Sequence, residues 1–305
     1  MMRSSRLFIL FMLIGGLLFL LSSAPPFLSP QHKSNRFSEL LDSEFLKNSY
    51  WYQGLAEINH YQASVVKYGI LRPAEEVVHI LVTEKHDPIL LVKADDWKRS
   101  GLVDVLKFNY LTTIPTGIYT YREMISAFFA NPEMNLIKMT FSSQEWCGQS
   151  FKELLNVGKR KGLWFNTYWD GQGRGKYEAN FPEYLVLYDV LPVQLRALKF
   201  TETLKGHFEM LPTRISSKVS QPVWEKAEFE ITALQPLRVP AGEFTAYRVQ
   251  IRHSSGEDRL WFEKDFPHRM LKWETYAGNS YLLKKSQRLA YWELNKPGDE
   301  KYLPK

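Results

Sequence analysis

Apolar and polar positions alternate through most of the chain after residue 50. Segments 61–66, 75–83, 104–112 and 136–142 are rich in β-branched and aromatic residues and are bounded by turn residues. Successive side chains of a strand point to opposite faces, so this alternation is typical of a sheet with one face in water. The pattern predicts a β-rich N-terminal half over residues 49–198.

The second half repeats the pattern more regularly. Apolar segments separated by turns that contain Pro, Gly or Ser follow one another at 224–234, 244–253, 259–263, 270–276 and 281–291. Short strands at a spacing of about ten residues, with turn signals between them, predict an antiparallel meander. We therefore assign residues 199–295 to a C-terminal antiparallel β half and residues 296–305 to a polar tail.

Three other segments have helical patterns. Apolar residues recur at helical spacing over 35–47, and Thr120 forms a capping box with Glu123 ahead of an apolar stripe. Pro182 stands where a helix accepts proline in its first turn, which predicts helical structure to about residue 198. The expected fold is mostly β: a curved antiparallel sheet or incomplete barrel, continuous through both halves and covered by two or three short helices.

Residues 1–30 differ from the rest of the chain. Two arginines precede a largely apolar run over 7–27 that no charge interrupts, and this run is long enough to span a bilayer. Pro25 follows the only small-residue cleavage site, so the sequence favours a signal anchor, a transmembrane helix, over a cleaved signal. Either alternative places the body at the cell envelope, anchored in the inner membrane or free in the periplasm. Residues 31–48 would form a linker and a short helix.

Net charge and composition exclude several classes of function. Two of the charges that make up the net +6 lie in the N-terminal segment, and the others form no basic stripe, which argues against a nucleic acid partner. No spacing typical of metal ligands or of a phosphate-binding loop is found. We predict no metal and no cofactor. The expected partners are the inner membrane, through the N-terminal segment, and a lipid or an envelope protein.

The single cysteine, Cys147, follows Trp146 at the end of a predicted strand. Free cysteine is often buried, and a lone thiol outside the cytoplasm must be shielded from oxidation, so we expect Cys147 in the core. The alternative is a catalytic nucleophile, which requires a histidine nearby in space. Spacing does not choose among the candidate bases, which are His60, His79, His207, His253 and His268.

Segment 162–170 is an aromatic strand that we expect to border a ligand site. Alternation divides its side chains between two faces, and the face without polar residues is expected to join the core. That core face carries Leu163, Phe165 and Trp169. The predicted ligand-binding residues, on faces expected to line the concavity, are Trp164, Asn166, Tyr168, Gln144 and Trp146.

Several motifs resemble an uncharacterised family of exported bacterial proteins. They are YWYQGLAEI from residue 50, TGIYTYREM from residue 116, SSQEWCG from residue 142, VPAGEFTAYRV from residue 239 and LWFEKDFPHRMLKWE from residue 260. Members are often labelled "septum formation inhibitor", a name that belongs to cytosolic α/β nucleotide pyrophosphatases and does not fit an exported β-rich chain. The C-terminal half resembles a broader group of exported domains of unknown function. The resemblance implies a fold and an exported location, but no catalytic residues.

Three functions are compatible with these observations. The leading hypothesis is a non-enzymatic envelope protein that binds an apolar ligand or a protein partner in the concavity of its sheet. The second is a hydrolase or transferase that uses Cys147 and a nearby histidine. The third is a purely structural component of the envelope.

Overall fold

The computed structural model describes residues 37–179, 181–182 and 184–303. Strands make up 55% of the chain, so the prediction of a mostly β protein is confirmed. The strands are β1 (Ala56–Lys67), β2 (Ile70–Pro73), β3 (Glu76–Asp87), β4 (Val92–Lys93), β5 (Val103–Pro115), β6 (Thr120–Ala130), β7 (Leu136–Glu145), β8 (Gly148–Val157), β9 (Arg160–Asn166), β10 (Arg174–Tyr177), β11 (Val186–Leu187), β12 (Lys205–Leu211), β13 (Glu225–Val239), β14 (Gly242–His253), β15 (Gly256–Glu263), β16 (Met270–Glu274) and β17 (Ser280–Leu289).

All of these strands belong to one large sheet. From one edge to the other, the strand pairings give the order β10, β9, β8, β7, β6, β5, β3, β1, β17, β16, β15, β14, β13, β12 and β11. Strand β1 joins the two halves, because it pairs with β3 and β2 on one side and with β17 on the other. Neighbours are antiparallel except β11 and β12. The five strands predicted in the second half are confirmed, with ends that differ by a few residues.

The segment predicted as a capped helix after Thr120 is strand β6, so that prediction was wrong. Burial alternates residue by residue along the strand, and both of its edges are paired, one to β5 and the other to β7. Its apolar residues therefore divide between two faces instead of forming one helical stripe. A capping box is a local signal, whereas two long neighbouring strands offer a complete hydrogen-bond ladder.

The other two helix predictions were wrong over most of their length. The described part of the segment predicted at 35–47, residues 37–47, contains two 3₁₀ turns, Phe37–Leu40 and Phe45–Lys47, instead of one helix. The segment after Pro182 begins extended, and only its last part is helical. That part comprises 3₁₀ turns at Tyr188–Val190 and Leu195–Ala197 around the short helix α1 (Leu191–Gln194). Further 3₁₀ turns lie at Ser49–Tyr52, Tyr291–Glu293 and Asp299–Tyr302.

Residues 185–198 form a continuous buried segment in the middle of the chain, and every one of them is buried. Strong polar contacts hold this segment in place. Arg196, 1% exposed, donates to both carboxylate oxygens of Glu57 at 2.8 and 2.9 Å. Gln194 donates to the carbonyl of Leu185 at 2.9 Å. The core of the protein thus forms between one face of the sheet and this segment.

The predicted signal anchor, residues 1–30, lies outside the described residues, as does the start of the predicted linker. Among the residues that are described, none belongs to a helix long and apolar enough to cross a bilayer.

Candidate functional site: a polar cavity on the inner face of the sheet

A row of polar side chains crosses the buried face of the first half. Thr112 of β5 pairs with Glu123 of β6, Glu123 with Ser143 of β7, and Ser143 with Ser150 of β8. Directly paired residues lie on the same face of a sheet, and all four are between 1% and 5% exposed. Burying polar groups is unfavourable unless partners satisfy them. We call these four residues the inner polar row.

Two members of the inner polar row have partners and two do not. Glu123 accepts a hydrogen bond from Lys67 Nζ at 2.6 Å, and Ser150 donates to the carbonyl of Ser217 at 2.6 Å. Thr112 Oγ1 and Ser143 Oγ have no hydrogen-bond partner among the described residues. Because buried hydroxyls in proteins are nearly always satisfied, these two oxygens indicate a place where water or a ligand completes the hydrogen bonding.

A cavity of about 140 Å³ lies against Thr112 and Glu123 at one end of the inner polar row. Its walls come from β1, β5, β6, β16, β17, the β16–β17 turn, the buried segment and a facing loop, and one part of them is aromatic. The aromatic wall consists of Tyr110, Tyr188, Trp273, Tyr276 and Tyr281. The cavity therefore combines flat apolar surfaces with buried hydroxyl and carboxylate groups.

Two wall residues meet across the cavity from strands that are not neighbours. Tyr110 Oη of β5 donates to Tyr281 Oη of β17 at 3.2 Å, although β3 and β1 lie between these strands. The ring of Tyr281 also stacks on Trp273, with centroids 5.3 Å apart. These contacts fix the rings of the wall, so the shape of the cavity is established without a ligand.

The mouth of the cavity lies where strand ends and turns meet. Tyr276 and Ala277, in the β16–β17 turn, are both exposed, and Ile215 on a facing loop is partly exposed. Lys67, at the end of β1, stands at the same opening with its ammonium 4.1 Å from the centre of the Tyr121 ring. A molecule could enter past the turn without displacing the buried segment.

Ionisable groups of the buried segment and of β8 surround the inner end of the site. Asp189, which lines the cavity, accepts from the backbone N–H of Arg214 at 2.6 Å. Burial raises the pKa of Asp189 more than this hydrogen bond lowers it. Lys152 on β8 is 1% exposed and donates to the carbonyls of Arg214 and Ser216 at 2.8 and 2.6 Å. Burial, with a smaller effect from Arg214, lowers the pKa of Lys152 to about 7.

A second buried network supports the wall from the C-terminal half. Asp258 accepts from Tyr188 Oη at 2.7 Å, from Trp273 Nε1 at 3.0 Å and from His253 Nε2 at 2.7 Å. Burial lowers the pKa of His253, but the hydrogen bond and charge of Asp258 outweigh it, so the pKa is raised overall. The network orients two rings of the wall, and the hydroxyl that it contains is the phenol of Tyr188, whose pKa is raised by burial and by the charge of Asp258.

The residues predicted from the aromatic strand do not line this cavity. Leu163 and Phe165 are buried as expected, whereas Trp169 lies beyond the end of β9 and is only half-buried. The cross-strand pairing of β7, β8 and β9 places Gln144, Trp164 and Asn166 together on the face opposite the inner polar row. Lys176 covers the Trp164 ring there, with its ammonium 4.5 Å from the ring centre.

The expectation that Cys147 is buried was wrong. Cys147 is exposed and lies with Trp146 in the two-residue turn between β7 and β8, where strand alternation no longer applies. Trp146 and Tyr168 are also exposed, at 73% and 51%. The backbone N–H of Cys147 donates to Glu145 Oε2 at 2.6 Å. Interaction with the side chain of Glu145, and then a little burial, raise the pKa of the thiol.

The candidate histidine bases lie in other environments. His79 is buried among Tyr61, Phe108 and Tyr110, where burial lowers its pKa to about 3. His253 binds Asp258, as described above, and the ring of His268 packs at a tilt against Phe200, with centroids 4.6 Å apart. His60 and His207 lie within β1 and β12. Within the described part of the chain, no three His, Cys, Asp or Glu side chains converge in a way that could hold a metal ion.

The inner polar row was missed because its members are ordinary in sequence. Thr112, Glu123, Ser143 and Ser150 belong to four strands, and each occupies a position that alternation alone would accept as either inward or outward. One signal was present: in β6, Glu123 lies on the same face of the strand as Tyr121 and Ile125, which are buried. Burying a carboxylate on the same face as core residues costs free energy, so its presence there indicates a cationic or hydrogen-bonding partner or a ligand site.

Comparison with known proteins finds no match, since no protein family, no curated protein and no solved structure is similar to this chain. The resemblance to exported bacterial proteins therefore stays a prediction from the motifs.

Proposed function

We propose that this chain is a non-enzymatic binding protein of the cell envelope, facing the periplasm, that holds a small polar ring in the concavity of its sheet. The ligand we have in mind has the size and chemistry of one sugar ring, such as the end of a glycan. The observation that carries the proposal is the pair of unpartnered buried hydroxyls in the inner polar row, one of which lines an aromatic-walled cavity.

Size and chemistry both support a ring of this kind. A cavity of about 150 Å³ in another protein accommodates benzene, so this cavity of about 140 Å³ has room for one six-membered ring, and the substituents of a sugar would extend into the mouth. A sugar ring has an apolar face that can lie against aromatic side chains such as Trp273 and Tyr276, and hydroxyls that can bond Thr112 Oγ1, Glu123 and Asp189. A purely apolar ligand would leave Thr112 Oγ1 without a hydrogen-bond partner, at a cost of about 1–3 kcal/mol.

The Cys147 hydrolase or transferase is the weaker alternative. A catalytic thiol requires a lowered pKa and a base, whereas the pKa of Cys147 is raised and its side-chain neighbours are Glu145 and Tyr168.

The proposal can be tested with full-length protein in detergent. Calorimetric titration with a panel of monosaccharides and short glycans should give at least one ligand that binds, and native mass spectrometry should detect copurified ligand. Tyr276→Ala should weaken this binding by at least tenfold, because the ring forms one wall at the mouth. Thr112→Val, which keeps the volume and removes the hydroxyl, should weaken it by several fold.

Tyr168→Ala is the matched control, since it removes an exposed tyrosine that lies outside the cavity. Thermal unfolding of each variant separates loss of binding from loss of fold. Absence of binding across the panel with a water-filled cavity in a crystal structure would contradict the proposal. Equal weakening by Tyr276→Ala and Tyr168→Ala would also contradict it.

A further inference from the structure

A second cavity system lies on the opposite face of the sheet, under the C-terminal segment. The floor is formed by the outward side chains of β1, β3 and β17, and residues 291–303 form the roof. The main cavity here has a volume of about 620 Å³, within the range of about 300–1,000 Å³ that is typical of ligand pockets. It shares no lining residue with the cavity on the inner face.

The floor of this groove is apolar. Ala56, Ile58, Val78 and Val82 form a small hydrophobic cluster of their own, separate from the main core. Further apolar side chains packed against that cluster are Ile80, Leu289 and Tyr291. Most outward positions of a sheet face water and are polar, so a continuous aliphatic strip on this face requires a cover.

The C-terminal segment covers the strip only loosely. Among the described residues, its side-chain hydrogen bonds with the sheet converge on one atom, the carbonyl oxygen of Tyr302, which accepts from Gln287 at 3.1 Å and from Lys285 at 3.5 Å. Leu303 lines the groove but is 58% exposed. Space for a flexible apolar chain therefore lies between floor and roof.

One end of the groove is polar. A cavity of about 460 Å³ adjoins the apolar one, and the two share His60, Glu76 and Leu303 in their linings. Its charged residues carry both signs, namely Arg122, Lys284, Glu75 and Glu76. Among the described residues, none of these four side chains has an ion-pair partner.

We propose that this groove binds a single-chain amphiphile with a zwitterionic head group. The acyl chain would lie on the strip formed by Ile58, Val78 and Ile80, beneath the C-terminal segment. The anionic part of the head would contact Arg122 and Lys284, and its cationic part Glu75 and Glu76. A purely anionic head group would repel Glu75 and Glu76, and a purely cationic one would repel Arg122 and Lys284. This site is independent of the polar cavity, because the two lie on opposite faces.

The test uses full-length protein and lysophosphatidylethanolamine below its critical micelle concentration, measured by calorimetric titration. Ile80→Glu places a charge on the floor at a partly exposed position, so the fold should persist while affinity falls at least tenfold. Ile70→Glu is the control, since Ile70 is an exposed aliphatic residue that lines neither cavity.

A second variant tests recognition of the head group. Arg122→Glu combined with Lys284→Glu should reduce affinity for the zwitterionic lysolipid several fold and leave affinity for a neutral monoacylglycerol unchanged. No measurable binding to the wild-type protein would overturn the proposal. Equal binding by wild type and Ile80→Glu would overturn it as well, and tighter binding of an unbranched fatty acid than of the lysolipid would refute the zwitterionic head.

Discussion

The two halves of the sheet differ in how many polar residues they bury. Between residues 56 and 166, fourteen polar or charged residues are buried, whereas between 225 and 289 only Asp258 and Thr275 are, among the residues that the structure describes. Both halves have the same architecture of antiparallel strands. The C-terminal half is therefore packed mainly by apolar residues, while the N-terminal half buries polar groups that need hydrogen-bond partners or a ligand.

The halves also differ in how their buried charges respond to pH. The His253–Asp258 pair of the C-terminal half has a histidine with a raised pKa. Its contribution to stability is complete below the unfolded pKa of histidine and is lost as the pH rises through the folded value. Lys152 of the N-terminal half has a lowered pKa, so its buried ammonium disfavours folding at neutral pH. The His253–Asp258 pair therefore stabilises the C-terminal half at low pH, whereas protonated Lys152 destabilises the N-terminal half at neutral pH.

The largest expected effect comes from breaking the contact between the N-terminal half and the buried segment. Arg196→Met should lower the free energy of unfolding by about 3–5 kcal/mol, because it leaves the carboxylate of Glu57 buried without its partner. Chemical denaturation measures this change. The double variant Glu57→Gln with Arg196→Met should recover much of the loss, since no unpaired charge then remains. A single variant as stable as wild type would mean that the buried segment is not held by this pair.

A smaller effect is expected from the pH dependence of Lys152. Its pKa is about 7 in the folded protein, and a lysine in an unfolded chain titrates near 10.4. Between these values the unfolded state binds more protons, so stability should rise with pH by up to about 1.4 kcal/mol per unit on account of this residue. The measurement is the difference in unfolding free energy between wild type and Lys152→Met from pH 7 to pH 9.5. A difference that does not change with pH would contradict the lowered pKa.

The smallest expected change in unfolding free energy comes from removing single hydroxyls of the inner polar row, and it should differ between Ser143 and Ser150. Ser150→Ala removes a buried hydrogen bond to Ser217 and should cost about 1 kcal/mol. Ser143→Ala removes a hydroxyl that has no partner in the protein and should be neutral or slightly stabilising in the ligand-free state. The two changes are chemically identical and lie on adjacent paired positions, so each controls for the other. Equal destabilisation by both would show that Ser143 has a firm partner, and the site would lose part of its support.

Much of the fold could be predicted because alternation is a local property. The strands of the second half were recognised from period-2 patterns and turn residues, and the core face of β9 at Leu163 and Phe165 was assigned from the absence of polar residues. Strand β6 was mistaken for a helix because four of its apolar residues, Met124, Ile125, Phe128 and Phe129, fit both the helical and the strand period over so short a stretch. Its pairing with β5 and β7 decided the outcome, and a pairing between strands is not local.

The sequence by itself determined that this protein is mostly β and located the strands of the second half to within a few residues, because side-chain alternation and turn chemistry act over a few residues. Only the tertiary structure decided where polar groups would be buried. The register of β5, β6, β7 and β8 aligns the inner polar row, and this register is fixed by the packing of the whole sheet. The same register turned Trp164 and Asn166 away from the cavity, and the β7–β8 turn exposed Cys147 to solvent.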